Sequence, residues 1–330
     1  FFIFCRVAIL LVPMEKAYDS CMLCPRFCGV NRNVGEVGFC GETAELRLAW
    51  AGLHFGEEPP VTGTGGSGTI FVTGCNLGCS FCQNYQISHE SMGKVVTGDQ
   101  FFDICCALRD AGAENINIVT GSHAIPALAS YLTAARDRGF SLPILWNSSG
   151  YETVDALKLL SGIVDRWLPD LKTLNSAVSD RFFRAADYPE TACNALLYMA
   201  ELAEKSSFQP AMIVRHLVLP EQVDDSREVL AWFAANLRKR AFLSVMTQYT
   251  PVPQAGVNSE QPPDRFLLGN EYDSLPILLD RYGIEEGFMQ ELVEDSSWLP
   301  DFTRTQPFSS SLARPVWHWS SGFVQDAAND

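Results

Sequence analysis

Basic charge is scarce in this chain of 330 residues: 24 lysines and arginines stand against 39 aspartates and glutamates, for a net charge of −15. So acidic a surface argues against non-specific nucleic-acid binding and against docking on anionic membranes. Long apolar spans are missing too. The apolar opening, Phe1 to Pro13, falls short of the roughly 20 residues that a spanning helix needs. It has no basic start and no small-residue cleavage site, so it is a poor secretory signal. No methionine precedes it and Met14 opens a polar segment, so residues 1–13 read as an extended, non-native start or as a short packed strand. Internal repeats and coiled-coil heptads are absent, which removes solenoids and rods from consideration.

Hydrophobic residues, by contrast, make up 47% of the chain, enough for one large core or two modest domains. Eleven cysteines are present, and seven of them fall in two tight groups. That is metal-ligand spacing rather than a disulfide framework, and it suits a reducing, cytoplasmic setting.

Four segments follow from composition: the extension at 1–13, a cysteine-bearing module at 14–60, an alternating region at 61–250 and a less regular tail at 251–330. In the alternating region, strand candidates are Thr69–Thr73, Asn115–Thr120, Pro143–Asn147, Asp165–Leu171, Ala211–Leu219 and Phe242–Tyr249. Continuous apolar runs of this kind suit strands covered on both faces. Helix candidates lie between them at Ala124–Arg138, Thr153–Leu160 and Asp225–Arg240, the last behind a Val-Asp-Asp-Ser cap. Six strands alternating with helices predict parallel βα units in an α/β fold. In the tail, Asp273–Tyr282 and Glu285–Glu294 read as helical, and Ser297–Asp330 as a surface wrap.

Chemistry concentrates in Gly74-Cys75-Asn76-Leu77-Gly78-Cys79-Ser80-Phe81-Cys82. The spacing is C-x3-C-x2-C, directly after the first strand candidate. Three thiolates can hold three irons of a cubane and leave the fourth open, whereas electron-transfer clusters take four cysteines and structural zinc takes four ligands. The upstream group, Cys21, Cys24, Cys28 and Cys40, spaced C-x2-C-x3-C-x11-C, suits either zinc or an auxiliary iron–sulfur cluster. Gly63-Thr64-Gly65-Gly66-Ser67-Gly68 matches a dinucleotide fingerprint only by letter, because it precedes a strand instead of following one. Cys105, Cys106 and Cys193 read as small core residues. Alternation along the fourth strand candidate puts Asp170 and Lys172 on one face, pointing inward, where such charges need each other or a ligand.

With Phe81 ahead of its last cysteine, the triplet resembles the signature of the radical SAM superfamily. The resemblance implies an open (β/α)6, TIM-like partial barrel and a [4Fe–4S] cluster on Cys75, Cys79 and Cys82. It also implies S-adenosylmethionine (SAM) on the open iron, reductive cleavage to a 5′-deoxyadenosyl radical that abstracts hydrogen, and a low-potential electron donor of flavodoxin or ferredoxin type. Function in such barrels gathers at the C-terminal ends of the strands. The SAM contacts so implied are Thr120, Gly121 and Ser122, where relatives carry a Gly-Gly-Glu-like segment and this chain has no acid. Asn147 and Ser149, then Asp170 and Lys172, and finally His216 complete them, with a helix cap or a satisfied core histidine as the plainer readings of Asn147, Ser149 and His216.

Cys21-x2-Cys-Pro-Arg, Phe55-Gly-Glu-Glu-Pro-Pro, Asn147-Ser-Ser-Gly-Tyr-Glu, Leu168-Pro-Asp-Leu-Lys and Trp298-Leu-Pro-Asp-Phe resemble, more narrowly, the pyruvate formate-lyase activating proteins. That likeness implies a backbone glycine Cα–H of a partner glycyl-radical enzyme as the target. Another protein or a small molecule as target, and a non-catalytic iron–sulfur carrier, are the alternatives.

Overall fold

The computed structural model describes residues 14–252 and 262–324; the extension at 1–13 and both 253–261 and 325–330 of the tail lie outside them. Strands run β1 (Arg47–His54), β2 (Ser67–Val72), β3 (Lys94–Val95), β4 (Ile116–Val119), β5 (Ile144–Ser148), β6 (Arg166–Pro169), β7 (Ile213–Leu217), β8 (Phe242–Met246), β9 (Gly287–Met289), β10 (Ala313–His318) and β11 (Gly322–Phe323). Helices are α1 (Pro59–Thr62), α2 (Tyr85–Ser88), α3 (Gly98–Asp110), α4 (Ile125–Asp137), α5 (Val154–Lys158), α6 (Ser176–Phe183), α7 (Tyr188–Ala203), α8 (Val223–Asn236) and α9 (Gly269–Tyr282).

β2, β4, β5 and β6 pair in parallel, and bridges Trp167↔Met212 and Asp170↔Arg215 carry the curve to parallel β7, β8 and β9. All six strand candidates are strands of this curved α/β wall. Its residues are buried on both faces because helices cover the outside and side chains fill the inside. Inward residues stack in layers. Leu145, Leu168 and Ile213 meet Val61 of α1, which plugs the end of the barrel remote from the cysteine loop.

Three sequence expectations change. Glu285–Glu294 is not a helix: Gly287–Met289 adds an edge strand to β8, with Leu243 O 2.1 Å from where a Gly287 side chain would begin. The tail does more than wrap, since β10 pairs antiparallel with β1, which itself pairs antiparallel with β2. Phe302 and Phe308 of that tail pack edge-on against Phe71 and Trp50. Last, α8 starts at Val223 without a side-chain cap; the Asp225 carboxylate instead accepts from Thr173 Oγ1 (2.8 Å) and Leu174 N (3.3 Å), tying α8 to the loop after β6.

No helix among the described residues is long and apolar enough to cross a membrane.

Candidate functional site

Cys75, Cys79 and Cys82 lie between β2 and α2, partly exposed and free of disulfides. The loop leaves β2 through Gly74, at φ 83°, where a Cβ would lie 2.5 Å from Glu42 and 2.8 Å from Cys40 O. Glycine is therefore required both for the turn and for the N-terminal module to close on it. Leu77 N donates to Cys75 Sγ (3.3 Å), and Cys82 Sγ lies 3.2 Å from Ser88 Oγ. Burial pushes all three thiols up, Cys79 to about 12, while Lys172 pulls each of them down. Metal binding would release those protons. Ser80 Oγ, between the second and third cysteines, is buried with no partner among the described residues. Three sulfurs, N–H donors, a spare hydroxyl and one nearby ammonium suit an anionic iron–sulfur cluster.

Opposite them, Lys172 Nζ contacts Asp170 Oδ2 at 2.5 Å, both side chains about one-fifth exposed or less. Burial alone would lower the Lys172 pKa, but Asp170, Cys79 and Tyr188 outweigh it and keep the ammonium charged. At the end of β4, Thr120 stands at φ 62°, a strained conformation for a threonine; its N donates to Asn147 O (3.0 Å). Gly121 leaves room for Trp146, whose ring would lie 2.6 Å from an added Cβ. Asn147 and Ser149 are half-buried, and their side chains make no hydrogen bond among the described residues.

A family model described as the radical SAM superfamily matches residues 69–233, half of the chain. An uncharacterized protein of Methanocaldococcus jannaschii is 31% identical over 281 residues, 82% of this chain and 77% of the relative. The chain belongs to the radical SAM superfamily. Among solved structures, SuiB of Streptococcus suis bound to S-adenosylmethionine superposes with TM-score 0.48 at 13% identity, over 66% of this chain and 48% of SuiB. The FeFe-hydrogenase maturase HydG of Carboxydothermus hydrogenoformans gives 0.47 at 14%, over 67% and 52%. A domain of pyruvate-formate lyase-activating enzyme from Bacteroides vulgatus gives 0.34 at 14%, over 51% and 91%. The chain spans about half the length of SuiB and of HydG.

In this radical SAM protein the remaining site residues divide. Ser122 Oγ is committed to Glu152 Oε1 (2.6 Å), so it faces a buried carboxylate and not the mouth. His216 is turned behind the wall: Nδ1 is 2.8 Å from Leu171 O and Nε2 2.9 Å from Ser226 Oγ, so both ring nitrogens are satisfied within the core. The side chain that enters the barrel from this strand is its neighbour Arg215, held by Glu57 and Glu58.

Cys21, Cys24, Cys28 and Cys40 gather against the cluster loop. Each sulfur accepts an N–H: Cys21 from Arg32 (3.9 Å), Cys24 from the Arg26 backbone, Cys28 from Phe39 N (3.3 Å) and Cys40 from the Glu42 backbone. Among the described residues, however, no three His, Cys, Asp or Glu side chains close around a single ion. The same holds for Cys75, Cys79 and Cys82. Arg26 seats the module on the site, donating to Asn76 O (2.9 Å) beside Cys75 and to the carbonyls of Phe183 (3.3 Å) and Arg184.

Two side chains escaped the sequence reading. Tyr188 Oη accepts from Lys172 N (2.9 Å) and lies 2.9 Å from Ser149 O and 3.1 Å from Asp170 O, bracing two strand ends. Glu152 is buried under both, its Oε1 also accepting from Trp146 Nε1 (3.2 Å) and its Oε2 unpartnered among the described residues. Tyr188 acts across strand ends with no local motif to announce it, and Glu152 closes the Asn147-Ser-Ser-Gly-Tyr-Glu motif, which by itself assigns it no role.

Proposed function

We propose that this chain is an enzyme that cleaves SAM reductively and directs the resulting radical to hydrogen abstraction. The observation that carries the proposal is the three-cysteine loop standing at one barrel mouth with the buried Asp170–Lys172 pair beside it. Cys75, Cys79 and Cys82 would hold a [4Fe–4S] cluster, which would supply the electron for reductive cleavage of SAM to methionine and a 5′-deoxyadenosyl radical. The protein's own part is positioning and exclusion of water. Asp170 and Lys172 offer one charge of each sign to the zwitterionic methionine end. The Thr120–Gly121 backbone and the Asn147 and Ser149 side chains supply polar groups at adjacent strand ends, while Tyr188 fixes their spacing.

The target we assign first is a glycine Cα–H of a partner glycyl-radical enzyme, on the motifs shared with the activating proteins. The electron donor is then a flavodoxin or ferredoxin, and the setting cytoplasmic. A small-molecule target is the second reading. It is favoured by the tail, whose Phe302 and Phe308 pack on Phe71 beside the cluster loop and are pinned by Gln86 to Asp301 (3.2 Å) and Phe302 N (2.7 Å), narrowing the way in for a folded partner's loop. The N-terminal cysteines are the proposed seat of a second metal, supported by the N–H donor on every sulfur.

The test is anaerobic reconstitution with iron and sulfide, reduction, and quantification of 5′-deoxyadenosine beside a Cys75/Cys79/Cys82→Ala variant. Cysteine-dependent 5′-deoxyadenosine is the expected result. A reduced, intact cluster that never cleaves SAM would instead make the chain an iron–sulfur carrier.

A further inference from the structure

Five of the described acidic and basic side chains come together inside the barrel, Glu57, Glu58 and Asp170 against Arg215 and Lys172, while Arg166, in register with inward Leu145, donates to Pro60 O instead. Lys172 serves Asp170. Arg215 serves both glutamates, its Nε donating to Glu58 Oε1 (2.9 Å) and its Nη2 to one oxygen of each. One guanidinium thus answers two carboxylates whose side chains are only 12% and 8% exposed. His54 lies beside them but adds no cation: burial lowers its pKa, and its Nδ1 accepts from Gly56 N (3.3 Å). The group holds one negative charge more than it pairs, an expensive state for buried carboxylates.

Asn117 gives an independent sign. This inward residue of β4 is wholly buried; its Nδ2 donates to Glu57 Oε1 (3.2 Å), while its Oδ1 has no partner among the described residues. Buried amide oxygens without a donor are rare. Both deficits have the same sign, since the group lacks positive charge and it lacks N–H donors. It stands over the apolar floor of Val61, Leu168 and Ile213, and the backbones of Arg215 and Asp170 pair at the mouth.

We infer that the barrel interior binds a small molecule bearing a primary ammonium group, which donates to the Glu57 carboxylate and to Asn117 Oδ1. This inference rests on the reading of the barrel as a SAM-cleaving site with a small-molecule target. Since Asp170 and Lys172 take the methionine end of SAM there, the deeper imbalance belongs to a second molecule, the one that loses hydrogen. The Phe55-Gly-Glu-Glu-Pro-Pro segment then has a role, carrying two carboxylates into the barrel from beneath.

The test is thermal unfolding of the full reconstituted protein with ethylammonium chloride, against ethanol, sodium acetate and sodium chloride at matched concentrations. Ethylammonium alone should raise Tm saturably, by about 2 °C or more. Glu57→Gln should unfold above the wild type without ligand, having lost the unmatched charge, and should show no ethylammonium effect; Asn117→Ala should lose that effect as well. If Glu57→Gln unfolds below the wild type and ethylammonium does no more than sodium chloride, the group is a closed structural salt bridge and the inference is overturned. Wild-type 5′-deoxyadenosine, measured in parallel, separates the two failures. Its formation without ammonium protection overturns this inference alone, while protection without it leaves the ammonium site standing and overturns the radical reading.

Discussion

The Asp170–Lys172 pair was legible because alternation along one strand fixes which side chains share a face; Arg215, Tyr188 and Glu152 were not, because most of their partners are 16 to 158 residues away. A buried pair breaks badly when one partner is lost. Asp170→Asn or Lys172→Met should each lower unfolding free energy by about 2–3 kcal/mol in denaturant melts, with the double variant about 1–2 kcal/mol short of their sum; additive losses would mean that the pair is not coupled. Of the three buried histidines, His123, His216 and His318, the first two carry the larger share of a pH response. Burial, partly offset by the Leu171 carbonyl, holds His216 down at about 4, and burial with Arg32 holds His123 down at about 3. The folded state therefore binds fewer protons than the unfolded chain, whose histidines titrate near 6.5. Stability is intact above pH 6.5 and declines as pH falls toward 4, by about 3 kcal/mol from His216 alone. Urea midpoints measured from pH 7 to 5 should fall, and fall less steeply in His216→Asn.

Strands of the parallel wall announce themselves as continuous apolar runs, and all six were readable for that reason. β9 was not, because a three-residue edge strand in Gly287–Met289 carries no period and sits among acids that favour helix by composition. β10 was hidden by Pro315 and Trp317: it lies between β1 and the two-residue edge strand β11, and Pro315 falls at a register irregularity where a missing N–H is tolerated. Between elements, the Tyr188 hydroxyl matters most, because one oxygen at the start of α7 holds the ends of β5 and β6 at a fixed separation. It accepts one bond and can donate only one, to Ser149 O or Asp170 O. Tyr188→Phe should cost about 1–2 kcal/mol in unfolding. The same variant should weaken SAM binding in equilibrium dialysis more than it changes iron content, because it loosens the strand ends without touching a cysteine. Equal losses of iron and SAM would point to a general collapse of the mouth.

At the scale of the whole molecule, two cysteine groups share one wall. Arg26 reaches from the first group to Asn76 beside Cys75, and Arg32 reaches from the same module to His123 O (2.6 Å), whose Nε2 lies 2.8 Å from Thr73 O at the end of β2. The module is thereby hydrogen-bonded to both sides of the turn at Gly74. Whatever fills one group therefore bears on the position of the other. The same N–H donors would serve thiolates on a zinc ion or on a cluster, and reconstitution with iron and sulfide supplies the cluster. The expected outcome is that the Cys75/Cys79/Cys82→Ala variant, reconstituted and measured by iron and zinc analysis, retains iron and little zinc. Cys24→Ser should lose that remaining iron and also weaken the first cluster, because Arg26, two residues on, holds the Asn76 carbonyl beside Cys75. Zinc at one equivalent with no residual iron would show that the module contracts around a single ion, and no metal at all would reduce it to a hydrogen-bonded clamp on the cluster loop.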